Sequence, residues 1–519
     1  MTALLDSLGQ FSATKPDAIA LAMPGEVELT WRQLEQRSNQ LAHALLELGV
    51  ARDQRICLLG DNSLAYALVF LAALKTGACV VPLPTLISPD ALRRMIIEVE
   101  PVAMFVSTAR LRTWQNIALG LSPTPPSVVL LDKTTATPAH LTVHDMFDGH
   151  ATHRPNVEIP EHAYFNIIYS SGTTGAPKGI VHAHAFRSAQ VRYVSALAGL
   201  SSDSRILAAT PLYSNSTITP FATALTIGAE FILLPQFNAR GLLEACAGLK
   251  PTHVAMVPVQ IERVLDLPTF DELCPKHPIV KISGAAKLSV DRKREILKRW
   301  PGNLIECYGM SEGGPVTALD ATRDFAHLDS VGRPLLDSDI RIIDEHDVEL
   351  ERGATGEVVG RSATMMTGYY MQPELTLQQQ WLDRAGYIYL RTGDVGRFDD
   401  ADFLHVVDRK KDVIISGGFN VYAFDLEEVL KAHADIADAA VVGVSSREWG
   451  ETPVAFVQLR SERQTSSDTI RDWANQRLGK LQRLAAIVIR EELPRGGLGK
   501  VLKRQLREEF EATRRLDGQ

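Results

Sequence analysis

The groups most able to do chemistry are concentrated in Tyr169-Ser170-Ser171-Gly172-Thr173-Thr174-Gly175-Ala176-Pro177-Lys178-Gly179, with three glycines, four Ser/Thr hydroxyls and one lysine. Glycines let backbone N–H groups close on an anion. Hydroxyls and an ammonium add donors and charge, so the composition suits a polyphosphate. The ordinary P-loop, G-x-x-x-x-G-K-[ST], does not fit, because Lys178 stands between Pro177 and Gly179. By itself the segment also suits a solvated Gly/Ser/Thr surface loop.

Four further segments carry groups that nucleotide chemistry uses. Tyr308-Gly309-Met310-Ser311-Glu312-Gly313-Gly314 sets a ring, a hydroxyl and a carboxylate on flexible backbone. The ring can stack on a base and Glu312 can hold Mg2+ beside phosphates; alone, the run also reads as a turn before an outer strand. Tyr389-Leu390-Arg391-Thr392-Gly393-Asp394 puts an acid past a tight turn. Asp394 can accept two hydrogen bonds from ribose hydroxyls or close an Asx-turn. Asp408-Arg409-Lys410-Lys411-Asp412 joins a charge run to the pair Gly417-Gly418, and such runs also serve as solvated linkers. In Leu493-Pro494-Arg495-Gly496-Gly497-Leu498-Gly499-Lys500 an ammonium follows three glycines. That loop can carry Lys500 into a site and out again, or be a frayed terminus.

Positioning these groups takes a large alternating scaffold. At 519 residues the chain exceeds one hydrophobic core, and such a length implies roughly two to four structural units. A content of 45% hydrophobic and 22% charged residues is that of a globular protein, and a net charge of -8 leaves no basic footprint for nucleic acid. No apolar run reaches the ~18 residues that span a bilayer. Met1-Thr2-Ala3-Leu4-Leu5-Asp6 has no basic segment ahead of an apolar one, so no secretory signal is expected. Cys57, Cys79, Cys246, Cys274 and Cys307 follow no CxxC spacing and are expected as reduced, mostly buried thiols of a cytoplasmic protein.

Thr30-Trp31-Arg32-Gln33 fits a capping box opening a helix with Leu34, Leu41, Leu45 and Leu46 at helical spacing, ended by Gly49. A strand at Arg55–Leu59, a helix from Leu64 to Lys75 closed by Gly77, and a strand at Cys79–Pro82 follow. The rhythm recurs after the glycine loop, with strands near Arg205–Leu207, Glu230–Leu234 and His253–Val257. It predicts an α/β fold of parallel sheets covered by helices. From about Asp337 to Gly360 short strands predict a small β-rich subdomain. After Asp408 a compact α+β unit is expected, with strands at Ala439–Val444 and Val454–Leu459, a helix over Ser467–Leu478 and a basic helix after Lys500.

Taken in order, these motifs resemble the adenylate-forming superfamily of acyl-CoA and aryl-CoA synthetases, peptide-synthetase adenylation domains and beetle luciferases. The resemblance runs from about Ser12 to Arg507. It implies a large N-terminal adenylation domain over 1–408, a hinge at 409–411 centred on Lys411, and a smaller mobile α+β domain over 412–519. It also implies site roles. Ser171, Gly172, Thr173, Thr174, Gly175 and Lys178 cradle the ATP phosphates, with Thr173 and Glu312 at Mg2+. Gly284, Ala285 and Ala286 run along the adenine and acyl pocket. Tyr308 and Gly309 flank adenine, and Ser311 replaces the usual Thr near the α-phosphate. Asp394 holds the ribose, and Arg409 contacts ribose or phosphate. Lys500 bridges carboxylate and α-phosphate, and leaves when the smaller domain rotates. Lys178, Glu312 and Lys500 thus carry catalysis.

For the second substrate, CoA, the resemblance points to Gly417, Gly418, Trp449 and Arg483, as in some aryl-CoA ligases. The acyl pocket is assigned to Tyr213, Ser214, Met256, Val257, Gln260, Gly284, Gly313 and Gly314, with the two small glycines leaving room for a flat ring. Ser214 departs from the family's common His; Ala423 and Asp425 replace a common Pro and Glu. The expected activity is ATP-dependent ligation of a carboxylic acid, aromatic or short-to-medium in chain, to CoA. Transfer of the acyl group to a carrier-protein pantetheine arm and a catalytically silent binding homologue are the alternatives. Dimers are frequent in the family, which leaves a homodimer open.

Overall fold

Local signals build the elements they predict. Gln33 N–H donates to Thr30 Oγ1 at 3.2 Å and Thr30 N–H to Gln33 Oε1 at 3.0 Å, closing the capping box of the helix Trp31–Glu47. Its stripe of Trp31, Leu34, Leu41 and Leu45 is buried, and Gly49 turns the chain at a φ of +83°. The helix Leu64–Lys75 is apolar around its whole circumference and buried accordingly. It packs on Trp31–Glu47. This computed structural model describes residues 3–119, 126–132, 141–170, 177–335, 337–416, 419–446, 449–460, 463–479, 482–496 and 499–516. The five cysteines are free thiols, four buried and Cys307 half-buried. No helix among the described residues is long and apolar enough to cross a membrane.

The chain divides into two compact units, one of residues 1–340 with 359–390, the other of 341–358 with 391–519. The first holds two large sheets. A seven-stranded sheet runs in the order Gly368–Tyr369, Lys178–Ala183, Tyr164–Ser170, Cys79–Pro82, Arg55–Leu59, Ala103–Val106, Ser127–Leu130. A nine-stranded sheet has the consecutive neighbours Thr317–Asp320, Leu304–Tyr308, Val280–Ser283, His253–Met256, Arg205–Ala208 and Glu230–Leu233. Central pairings are parallel, as the βαβ rhythm predicts.

Two antiparallel pairs in these sheets follow from short connections. Residues 171–177 join Tyr164–Ser170 to Lys178–Ala183, and 309–316 join Leu304–Tyr308 to Thr317–Asp320. A parallel return needs a crossover of about a dozen residues or more, so both must fold back as antiparallel neighbours. The strands flanking the two segments richest in candidate site residues are therefore antiparallel neighbours.

In the second unit Ile436–Ser446 and Gly450–Leu459 form a long antiparallel pair, with Ala486–Arg490 parallel to the latter. Ile414, Leu426, Leu430, Val441, Ala455, Val457 and Ile470 fill its core. The helix opening at Ser467 ends at Asn475, short of the expected Leu478, because Gln476 caps it. The basic helix spans Lys503–Leu516.

Candidate active site

The nine-stranded sheet gathers one set of candidates by topology. Strands Arg205–Ala208, His253–Met256, Val280–Ser283 and Leu304–Tyr308 are parallel neighbours. Their C-terminal ends deliver Tyr213 and Ser214, Met256 with Val257 and Gln260, Gly284 to Ala286, and Tyr308 with Gly309, in that order along the sheet. Ligands of open α/β sheets bind outside such carboxyl ends. Tyr213, Ser214, Met256, Val257 and Gln260 are buried; Ala285 and Ala286 are exposed and Tyr308 half-buried. Ala285 holds a φ of +72°, a strained conformation for a residue with a Cβ. Gln260 has a structural duty as well, since its Oε1 accepts from Val257 N–H at 3.2 Å at the helix start.

The seven-stranded sheet supplies the second set. Lys178 opens its strand opposite Ser170, and the short strand Gly368–Tyr369 pairs on the other side, with Tyr369 opposite Ile180. Lys178 Nζ lies 5.2 Å from the Tyr369 ring centroid, within cation–π range. The Tyr369 hydroxyl donates to Glu312 Oε1 at 2.8 Å. Burial, reinforced by the Glu312 charge and this hydrogen bond, pushes the phenol up, so it stays a donor. A lysine, a phenol and a carboxylate from three distant segments thus form one chain of contacts. A single half-buried carboxylate suits Mg2+, which takes oxygen ligands and is usually held by one or two carboxylates together with phosphates.

The backbone around Glu312 is fixed as well. Its carbonyl accepts from Met366 N–H at 2.8 Å, and Gly314 N–H donates to Thr364 O at 2.7 Å. Gly313 and Gly314 have φ of +79° and +88°, and a Cβ on Gly313 would stand 1.8 Å from Thr364 O. Close backbone approach therefore demands glycine at these positions, and their smallness is no measure of space for a substrate ring.

Behind this loop lies a buried polar group. His182 Nε2 is 2.7 Å from the Ser311 carbonyl, and its Nδ1 is 2.9 Å from Arg187 Nη2. Burial first, and then the Arg187 charge, lowers the His182 pKa well below its ordinary value, so the ring is neutral. Burial also pushes Arg187 down to about 9.

In the second unit Asp394 is buried and faces Arg409 across an antiparallel pair, with Arg409 Nε 2.7 Å from Asp394 Oδ1. Arg409 Nη1 also donates to Thr392 O at 3.2 Å. Lys411 is exposed in the following turn, closed by Asp412 N–H on Arg409 O at 2.8 Å. Lys500 is exposed on a small hairpin: Gly496 N–H donates to Lys500 O and Leu502 N–H to Pro494 O, each at 2.8 Å. Gly499 takes the left-handed turn position at a φ of +82°. Trp449 is half-buried in the turn between Ile436–Ser446 and Gly450–Leu459, while exposed Arg483 lies in the segment before Ala486–Arg490. Ser171, Gly172, Thr173, Thr174, Gly175, Gly417 and Gly418 lie outside the described residues.

Three participants escape a reading of motifs alone: Tyr369, His182 and Arg187. A signal for His182 exists, because residues 178, 180 and 182 alternate onto one face of their strand. Tyr369 carries none, since its partner is set by sheet topology.

The chain is similar to known proteins over nearly its whole length. The chain is similar to the long-chain-fatty-acid–CoA ligase FadD13 of Mycobacterium tuberculosis, 29% identical over 98% of each chain. It is 28% identical to the indoleacetate–CoA ligase of Aromatoleum aromaticum, over 97% of this chain and 98% of that one. The crystal structure of ATP-bound MatB from Rhodopseudomonas palustris shares the fold, with a TM-score of 0.88 and 24% identity over 98% of this chain and 99% of that one. The family model of the AMP-binding enzyme matches residues 9–370, and that of the AMP-binding enzyme C-terminal domain matches residues 425–500. The chain belongs to the AMP-binding enzymes, the adenylate-forming superfamily.

Proposed function

We propose that the protein is an ATP-dependent carboxylic acid–CoA ligase, and that the Lys178–Tyr369–Glu312 contact chain marks where ATP phosphates are held. A carboxylate oxygen attacks the α-phosphorus, the α–β anhydride bond breaks, and pyrophosphate leaves with the electron pair. The CoA sulfur then attacks the acyl carbon, the acyl–phosphate bond breaks, AMP leaves, and the thiol proton passes to solvent. Lys178 lowers the repulsion between the carboxylate and the polyphosphate. Glu312, held by Tyr369, is the ligand for Mg2+, which when bound neutralises phosphate charge. Tyr308 flanks adenine, Asp394 takes the ribose hydroxyls with Arg409 beside it, and Lys500 serves the first half-reaction. Lys411, exposed in its turn, is the hinge between domains 1–408 and 412–519. Trp449 and Arg483 receive CoA. The ligase activities for which these relatives are named support this reading.

The acyl group lies against Tyr213, Ser214, Met256 and Val257 at the carboxyl ends of the sheet. That buried, largely apolar wall supports an aromatic or short-to-medium-chain acid. Pyrophosphate release with MgATP across acids from acetate to palmitate, benzoates and hydroxycinnamates tests both points. Release multiplied by CoA, with a thioester product, is expected. Release with one acid and no response to CoA would move the reading to carrier-protein loading, and no release with any acid would overturn it.

A further inference from the structure

The buried group behind the Ser311 loop has a fixed direction. Arg187 can only donate, and all five of its N–H groups have acceptors. Nε and Nη2 reach Asn166 Oδ1 at 3.2 and 2.7 Å, Nη2 reaches His182 Nδ1 at 2.9 Å, and Nη1 reaches Gln190 Oε1 and Asn215 Oδ1 at 2.6 Å each. Because Asn166 Oδ1 faces the guanidinium, its Nδ2 faces His182 Nδ1, at 3.3 Å. His182 Nδ1 therefore meets donors only and is the acceptor nitrogen. The ring proton must sit on Nε2, where it is donated to the Ser311 carbonyl at 2.7 Å. Phe186 stacks on the imidazole at 4.1 Å and 16°, which fixes the ring plane. Among the described residues no carboxylate pairs with Arg187. An acid here would compete for the guanidinium and draw a proton onto His182.

The strand explains why this matters for the site. Lys178 and His182 stand on the same face of Lys178–Ala183, about 13 Å apart along it. One end of the strand carries the ammonium. The other end pins a carbonyl one residue before Glu312. We propose that His182, oriented by Arg187 and Asn166, is a positioning residue that sets the Ser311–Glu312 segment at a fixed distance from Lys178. It touches no reactant. Its work is to keep the carboxylate and the lysine in register for MgATP. This rests on the ligase reading only for where MgATP sits.

Equilibrium binding of MgATP to the full chain, without acid or CoA, tests it in His182→Leu and His182→Gln. Leu removes the donor. Gln keeps an N–H able to reach the Ser311 carbonyl. One hydrogen bond is worth about tenfold in affinity. The expected result is MgATP binding weakened about tenfold in His182→Leu and restored to within about threefold by Gln, with similar urea midpoints in both variants. Unchanged binding in Leu, or equal weakening in both, overturns the positioning role, as does a parent protein that fails to bind MgATP. A parent that binds MgATP with this pattern yet forms no thioester overturns the ligase reading and leaves the positioning role standing.

Discussion

Two buried cations in the larger unit are handled in opposite ways. Lys75, inside the helix Leu64–Lys75, donates to Glu35 Oε2 at 2.6 Å, Ser38 Oγ at 2.8 Å and Asn39 Oδ1 at 2.6 Å. Asn39 Nδ2 donates back to Glu35 Oε1 at 3.1 Å and outward to Thr152 O at 2.7 Å, so the charge is matched by an acid in a clamp between two helices. Arg187 has amides and an imidazole instead of an acid, and its network opens onto the Ser311 carbonyl. A network whose charge is matched by an acid holds the fold. An uncompensated one that ends on a loop carbonyl transmits position to that loop.

The sharpest way to break this contrast is Lys75→Met. Removing one partner of a buried pair strands the other and costs about 3–5 kcal/mol. A large drop in the urea midpoint is expected, with MgATP affinity of the folded protein unchanged. A change in affinity would show that the clamp also reaches the site.

Lys500→Ala sharpens the comparison from the other side. Lys500 is exposed on its hairpin, so its loss is expected to leave stability alone. Removing a charge aimed at the transition state costs about 10²–10³-fold in rate, here in adenylate formation. Thioester formation from pre-made acyl-adenylate should survive. Equal loss of both half-reactions would sink the assigned role.

Tyr369→Phe sits between the two kinds of residue. It keeps the ring beside Lys178 and deletes the 2.8 Å donor to Glu312. A hydrogen bond to a charged group is worth about 2 kcal/mol, roughly thirtyfold in affinity. The expected effect is a higher Mg2+ requirement and weaker MgATP binding, with little change in fold. Unaltered Mg2+ dependence would remove Glu312 from the metal.

How much of this was readable depended on distance along the chain. The Thr30–Gln33 box, the Gly49 and Gly77 turns and the Gly499 hairpin position are local, and their residue types state the conformation directly. The antiparallel returns at 171–177 and 309–316 follow from loop length, which the alternating rhythm alone hides. The glycines at 313 and 314 were legible as special, but the causes, the carbonyls of Thr364 at Gly313 and of Gly360 at Gly314, lie elsewhere in sequence. Tyr369 meets Glu312 across 57 residues, and His182 meets Ser311 across 129. Only strand pairing makes those contacts, so no motif could contain them.

The smallest effect separates two buried titrating groups by pH. Burial and then Arg154 lower His184 from 6.5 to about 4 in the folded state, and its buried Nε2 has no partner among the described residues. His182 is lowered as well. As pH falls below 6.5 the unfolded chain takes protons that the folded chain refuses, so stability present above 6.5 is lost toward 4. Lys75 is lowered from 10.5 to about 8, by burial first, with Glu35 opposing. Between those values the unfolded chain again holds the extra proton, so stability rises with pH from 8 to 10.5. Each group contributes a slope of at most about 1.4 kcal/mol per pH unit inside its window. Urea midpoints should rise from pH 4 to 6.5; from pH 7 upward Lys281, lowered to about 7 by burial, adds to the Lys75 rise, and the buried cysteines, raised by burial, oppose it above 9. His184→Gln should shallow the acid limb alone, and Lys75→Met the alkaline limb alone. If either substitution flattens both limbs, the two buried groups titrate together and neither limb belongs to one of them.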